Sequence, residues 1–212
     1  MRNIVIILSA IALFSCKPST NQTINDLPKP IMTGGKPFML TLHDRHTTRD
    51  FSEKELNPQI ISNLLWAANG INRPQNGGRT APSAMNKQEI DVYVALKSGV
   101  YLFEAKNHKL NKVIDEDIRS FVGEQKFHKV APISLILVAD YNKTKNKDTD
   151  SINKSCSPMN AAYVSENIYL FCSSENLATV AVGWLHYDLL HQKLKLSKNQ
   201  EVMLAHPVGY MK

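Results

Sequence analysis

The chain has 212 residues, 43% of them hydrophobic and 21% charged, a balance that excludes a disordered chain and a fibrous repeat and suits one globular core. Three cysteines are too few for a disulfide scaffold and too scattered for a four-ligand zinc site. The formal charge of +6 suits an anionic ligand, a nucleic acid or a membrane surface, and equally an ordinary basic surface, until something localises it.

In chain order, the first feature is an address. Arg2 precedes an apolar run from Ile4 to Phe14, broken only by Ser9, which is too short to span a bilayer as a mature helix. It ends in Leu13-Phe14-Ser15-Cys16, which resembles the bacterial lipobox. Residues 1–15 are therefore expected to be a lipoprotein signal peptide and Cys16 the lipidated N-terminus. The alternative is an ordinary signal peptide with a cysteine near its end. Residues 16–36, with three prolines and the pair Gly34-Gly35, read as a lipid-anchored tether. Residues 37–212 form the domain, expected in the bacterial cell envelope, anchored by lipid and facing outside the cytoplasm.

Pro37 to Arg45 suggests a first helix with Phe38, Met39 and Leu42 inward. Asn57-Pro58 reads as an N-cap and first-turn proline, and Ile60, Ile61, Leu64, Leu65 and Ala68 mark one helical face up to Asn69-Gly70. Ile71 to Ala84 reads as a loop. Strands follow at Ile90 to Leu96 and Val100 to Glu104, then a helix at Ile114 to Lys126 and a central strand at Ile133 to Ala139. Lys143 to Lys154 reads as a surface loop. Ala161 to Cys172 reads as a buried helix with Ala162, Ser165, Tyr169 and Cys172 in one stripe, Thr179 to Val182 approaches the core, Asp188 to Leu194 is a short helix, and Val202 to Val208 is the last strand. The class is α+β, with helices packed on a mixed central sheet. Cys156 and Cys172 suit a disulfide in an exported protein or a buried free thiol equally well.

No hydrolase elbow, phosphate-binding P-loop or H-E-x-x-H motif is present. The pairs His43/His46 and His186/His191 lack a third ligand in sequence and read as surface histidines. Basic residues between Lys97 and Lys129 alternate with acids and carry no aromatic-basic motif, which argues against nucleic acid. Two segments carry chemistry. In Arg45-His46-Thr47-Thr48-Arg49-Asp50-Phe51, two guanidinium forks four residues apart suit a phosphate. In Gly77-Gly78-Arg79-Thr80-Ala81-Pro82-Ser83-Ala84-Met85-Asn86-Lys87-Gln88, small residues and a proline let a flat ring approach the backbone, and the Asn86 amide both donates and accepts.

These segments, taken with Leu64-Leu65-Trp66-Ala67-Ala68 between them, with Asn167-Ile168-Tyr169-Leu170 and Ala178-Thr179-Val180-Ala181-Val182-Gly183-Trp184, and with the terminal Pro207-Val208-Gly209-Tyr210, resemble the nitroreductase family from about Phe38 onward. Asn69-Gly70-Ile71-Asn72-Arg73-Pro74 and Val100-Tyr101-Leu102-Phe103 resemble its azoline-forming oxidase branch. The resemblance implies an intertwined homodimer with FMN at the subunit interface. Electrons would pass from NAD(P)H or another donor to an organic acceptor such as a nitroaromatic or quinone. By position, Arg45, His46, Thr47 and Arg49 would hold the FMN phosphate and ribityl chain. Pro82, Ser83, Ala84 and Asn86 would line the isoalloxazine, and Ala181, Val182 and Gly183 would present backbone groups to its reactive nitrogen. No metal is implied and no side-chain acid is required, because the flavin carries the redox chemistry. The chain departs from the family pattern at His46 (usually arginine), Met85 (commonly glycine), Glu89 (commonly proline) and Ala178, in a turn that is otherwise glycine-rich. The alternative in another class is a catalytically degenerate lipoprotein that binds flavin or a small molecule without turnover.

Overall fold

The computed structural model describes residues 26–144 and 150–212, without the side chains of 150–153; the signal peptide, Cys16 and the tether up to residue 25 lie outside the described residues. From Asp26 the chain is fastened to the domain: Ser62 Oγ donates to Pro28 O at 2.5 Å, Gln59 Nε2 to Lys29 O at 2.9 Å, and Asn63 Oδ1 accepts from Ile31 N at 2.9 Å.

The helix α1 (Phe38–Asp44) forms where expected but turns the other way. Only Thr41 is buried, while Phe38 and Met39 are 64% and 74% exposed and Leu40 and Leu42 are exposed as well. The helix docks by its polar side, through Ser173 Oγ donating to Thr41 O, and its apolar residues are left exposed among the described residues. In α2 (Pro58–Asn69) the Asn57 side chain accepts from Gln59 N, Pro58 opens the first turn, and Ile61, Leu64, Leu65 and Ala68 are buried. The segment read as a loop instead contains a small hairpin, β1 (Ile71–Arg73) with β2 (Gly78–Arg79).

The sheet is built from β3 (Ile90–Leu96), β4 (Gly99–Glu104), β5 (Lys109–Ile114), β6 (Ile133–Asp140), β7 (Leu177–Thr179) and β8 (Gln200–Tyr210), in the order β5-β4-β3-β6-β8-β7. Every pairing is antiparallel, so the expected mixed sheet is corrected. The helix expected from Ile114 to Lys126 is also corrected. The chain there completes β5 and continues through a 3-10 turn to the short α3 (Phe127–Val130).

Along β6 the side chains alternate between two cores. Ile133, Leu135, Leu137 and Ala139 face α2 and α4 (Asp150–Ser174), while Ile136 and Val138 face Phe51, Ile118, Val122 and the α5 helix (Tyr187–Lys193). A strand covered on both faces needs apolar residues at every position, and β6 meets that requirement from Ile133 to Ala139 except at its buried Ser134. Each fully buried leucine stabilises the fold by about 1.5–3 kcal/mol. The α4 helix begins eleven residues before the expected Ala161 and continues through Pro158. Its buried stripe is Ala161, Val164, Ser165, Ile168 and Cys172; Ala162 is exposed and Tyr169 half-buried. Cys156 and Cys172 are free thiols, and burial pushes the Cys172 thiol well above its usual range. Among the described residues no helix is long and apolar enough to cross a membrane, and no three His, Cys, Asp or Glu side chains gather as metal ligands.

Two histidines lie inside this core. His206 on β8 is bonded through Nε2 to Ser165 Oγ (2.7 Å) and through Nδ1 to Thr179 Oγ1 (3.0 Å), and burial pushes its pKa down to about 3. His128 is fully buried, neither ring nitrogen has a hydrogen-bond partner among the described residues, and burial followed by the nearby His186 lowers its pKa to about 4. Imidazoles titrate near 6.5 in the unfolded chain, so below that pH the unfolded state binds protons that the native state refuses. Stability therefore rises with pH across this window and is lost as pH falls. Chemical denaturation between pH 6.5 and 5 should show a loss that steepens from about 0.7 toward about 1.4 kcal/mol per pH unit for each histidine, and His206→Gln should remove one histidine's share of that slope.

Candidate functional site

A cleft of about 320 Å³ opens where α1, the C-terminal half of α4 and β7 meet, lined by Lys36, Asp44, His46, Thr48, Tyr169, Asn176, Thr179 and Met211 among others. The chain leaving α1 runs along the end of the sheet, with Thr48 N donating to Thr179 O (3.0 Å) and Ser52 N to Tyr210 O (2.9 Å). These bonds carry Arg45 to Arg49 past the cleft.

Tyr169 joins the parts. Its hydroxyl accepts from Ala181 N at 2.8 Å and lies 3.0 Å from Thr47 Oγ1. Its ring carries the Arg45 guanidinium 5.2 Å from the centroid, a cation–π contact, and meets the His206 ring edge-on at 5.1 Å. Arg45 and Thr47 are thus brought together with Ala181 around one side chain, and His46 lines the same cleft. Arg49 is exposed and has no polar partner among the described residues. Asp44 also lines the cleft. Its bonds from His43 and Lys36, each 2.9 Å, hold its carboxyl below the usual range, and its backbone carbonyl is 2.6 Å from His46 Nδ1.

The three expected backbone groups are not equivalent. The Ala181 N–H is taken up by Tyr169, and the Val182 N–H and C=O by Ala205 at 2.8 and 3.0 Å. The Gly183 N–H has no partner among the described residues, and a Cβ placed on this residue would meet nothing within 4 Å. Gly183 is held from behind by Tyr187, whose hydroxyl donates to its carbonyl at 2.5 Å. The following loop is tied down by His186, bonded to Glu124 at 2.7 Å and close to Phe121 O at 3.2 Å; the Glu124 bond raises the His186 pKa. Trp184 stands 73% exposed beside Gly183.

Pro82, Ser83, Ala84 and Asn86 lie elsewhere. Pro82 and Ser83 line a small recess with Arg79, Gln88, Asn160 and Val164 that shares no residue with the first cleft. From Asn160 to Tyr169 is nine residues of α4, about 14 Å along the axis. The loop is strained: Met85, Asn86 and Gln88 have φ of 52°, 52° and 53°, a region that costs residues other than glycine about 1–3 kcal/mol each. Hydrogen bonds hold it, from Gln88 N to Ser83 Oγ (3.0 Å), Gln88 Nε2 to Asn86 Oδ1 (3.0 Å) and Arg79 Nε to Gln88 Oε1 (3.1 Å). The turn before β7 needs its positive φ at Asn176 (54°), not at Ala178, and asparagine tolerates it. Sequence reasoning overlooked Tyr169, Asn160 and Gln88 as site residues; the hydroxyl on an otherwise core-like helix stripe was the available signal for Tyr169.

The donor set fits a ligand with an anion at one end and a flat, hydrogen-bonding ring at the other. The Arg45 guanidinium and the Thr47 hydroxyl stand at Tyr169, and the open N–H of Gly183 lies two residues beyond the Ala181 N–H that Tyr169 binds. Comparison with known proteins gives this arrangement a lineage. The nitroreductase family profile matches residues 42–210. A protein named as a nitroreductase from Methanocaldococcus jannaschii is 28% identical over 175 residues, 78% of this chain and 86% of that one. The crystal structure of a protein described as a nitroreductase from Ralstonia eutropha is similar with a TM-score of 0.84 and 37% identity over 89% of each chain. A chain of the E. coli microcin synthetase complex shares the fold, with a TM-score of 0.68 and 14% identity over 98% of this chain and 85% of that one. The chain belongs to the nitroreductase family of oxidoreductases, whose members typically use flavin cofactors.

Proposed function

We propose that the protein is an FMN-dependent oxidoreductase that works as a homodimer, passing electrons from NAD(P)H or another donor to an organic acceptor. The observation that carries this reading is Tyr169, which fastens the arginine segment to the segment bearing the open Gly183 N–H. Arg45 and Arg49 would hold the FMN phosphate, Thr47 the ribityl chain, and Gly183 would donate to the reactive ring nitrogen. When bound, the flavin supplies the two-electron chemistry, and the protein's work is to position it and keep water from it. The Pro82–Asn86 loop is anchored about 14 Å along α4 from Tyr169 and shares no lining residue with the cleft, which supports a site completed by a second copy. In a two-fold dimer each cleft would meet the other protomer's loop. The exposed apolar face of α1 suits the dry core of such an interface.

FMN titration of the purified protein, followed by visible absorbance and fluorescence, tests the reading. Arg45→Ala with Arg49→Ala should weaken FMN binding by about tenfold or more, whereas Lys106→Ala and Lys198→Ala should leave it unchanged. Equal losses in all variants would mean that the charge acts only diffusely, and a protein that takes up no FMN would end the proposal.

We further propose that Cys16 is lipidated and tethers the domain to a bacterial membrane. Only the ten residues from 16 to 25 precede the stretch fastened to the domain, a reach of at most roughly 35 Å. The active site would then work close to the membrane and draw on a donor found there. The wild-type protein should sediment with membranes and incorporate labelled palmitate, and Cys16→Ser should do neither; soluble wild-type protein carrying no label would contradict this.

A further inference from the structure

Glu89 is an acidic side chain at the foot of β3, 2% exposed and surrounded by core. Its Oε1 accepts from Ser157 Oγ at 2.8 Å and from Asn160 Nδ2 at 2.7 Å, both on α4 and themselves buried. Its Oε2 is buried without a hydrogen-bond partner among the described residues. Such a half-satisfied carboxylate costs stability compared with an apolar side chain of similar size, so packing alone does not explain it.

What it does is orient an amide. The two ends of an asparagine side chain are nearly the same size and differ only in donating or accepting. With Nδ2 held on Glu89, Asn160 turns Oδ1 toward the loop, where it accepts from Ala84 N at 3.1 Å. Ala84 opens the turn in which Met85 and Asn86 take left-handed angles, and Ser83 closes it by accepting from Gln88 N. A strained loop persists only where its surroundings over-determine it. Here Asn160 anchors the start of the turn, and the Ser83 and Gln88 side chains anchor its end.

We propose that Glu89 is a positioning residue for the cofactor loop: by fixing the Asn160 amide it holds Ala84 to Gln88 in the conformation that receives the flavin ring. The inference rests on the flavin reading above. A residue that merely tied α4 to β3 would lower stability in any substitution without changing how flavin is held.

The test uses the full chain and the variants Glu89→Gln, Glu89→Ala and Asn160→Ala. Three quantities are measured: the FMN dissociation constant, the visible circular dichroism of bound flavin, and amide hydrogen exchange of residues 83–88 without FMN. Glu89→Gln keeps an acceptor at Oε1 and should hold FMN within about threefold of wild type with an unchanged flavin spectrum. Glu89→Ala and Asn160→Ala should each weaken FMN by about tenfold, alter the flavin spectrum and speed exchange in the loop but not in α2. If Glu89→Ala fails to fold, Asn160→Ala carries the test, because it leaves Glu89 bonded to Ser157. Equal losses in Glu89→Gln and Glu89→Ala, or an unaltered loop in Asn160→Ala, would overturn the inference while leaving FMN binding by the wild type intact. A wild type that binds no FMN would instead overturn the functional reading on which the inference rests.

Discussion

One face of α4 is buried against the sheet and α2, and the rest of the site depends on that burial. Ala161, Val164, Ile168 and Cys172 are lost to solvent together with Leu64, Leu65, Leu135 and Leu137, and this fixes the rotation of a 25-residue helix. Once the rotation is set, Asn160 must face the strained loop and Tyr169 must face the cleft. Neither polar contact is strong enough to set it; each is worth about 1 kcal/mol net, against several kcal/mol from the apolar stripe. The core therefore decides the geometry, and the polar residues use it.

The same helix separates the two halves of the candidate site. Tyr169 joins the arginine-bearing segment to the segment of Ala181 at one end, and Asn160 supports the strained loop at the other. Within one protomer α4 holds them about 14 Å apart. On the proposed reading a two-fold partner brings them together, and the exposed Phe38, Met39, Leu40 and Leu42 offer apolar surface to bury in doing so. Strain at Met85 and Gln88, a half-satisfied Glu89 and unpartnered apolar residues on α1 all add to the cost of the isolated fold. Each makes sense if the protomer is one half of a flavin site.

Much of this was legible in the sequence, and the failures have physical causes. The β3 strand runs from Ile90 to Leu96 as expected, because its β-branched and aromatic residues fall in a near-alternating pattern interrupted only by the half-buried Asp91. The Asn57-Pro58 signal placed the start of α2 correctly because capping is local chemistry. The β5 strand was missed because it is an edge: only Leu110 is buried, and Lys109, Asn111 and Lys112 face water. The α1 helix was found but turned inside out, since periodicity marks an apolar face without saying whether its partner lies in the same protomer. The start of α4 was placed too late because Pro158 reads as a breaker, and the helix nevertheless passes through it. The family was legible from the order of three motifs. How Tyr169, Asn160 and Glu89 are wired to those motifs was not, because those links join residues 12 to 122 positions apart.

The central claim is that the cleft of one protomer and the loop of another make one flavin site. Co-expressing the Arg45→Ala/Arg49→Ala variant with a loop variant, Asn160→Ala/Asn86→Ala, tests it through the flavin content of the mixed dimers. Each variant alone should retain little FMN. A mixed dimer carries one site with both faults and one with neither, so random pairing should restore about one quarter of the wild-type flavin. Mixtures that bind no more flavin than the variants alone would place both halves in the same protomer and contradict the account.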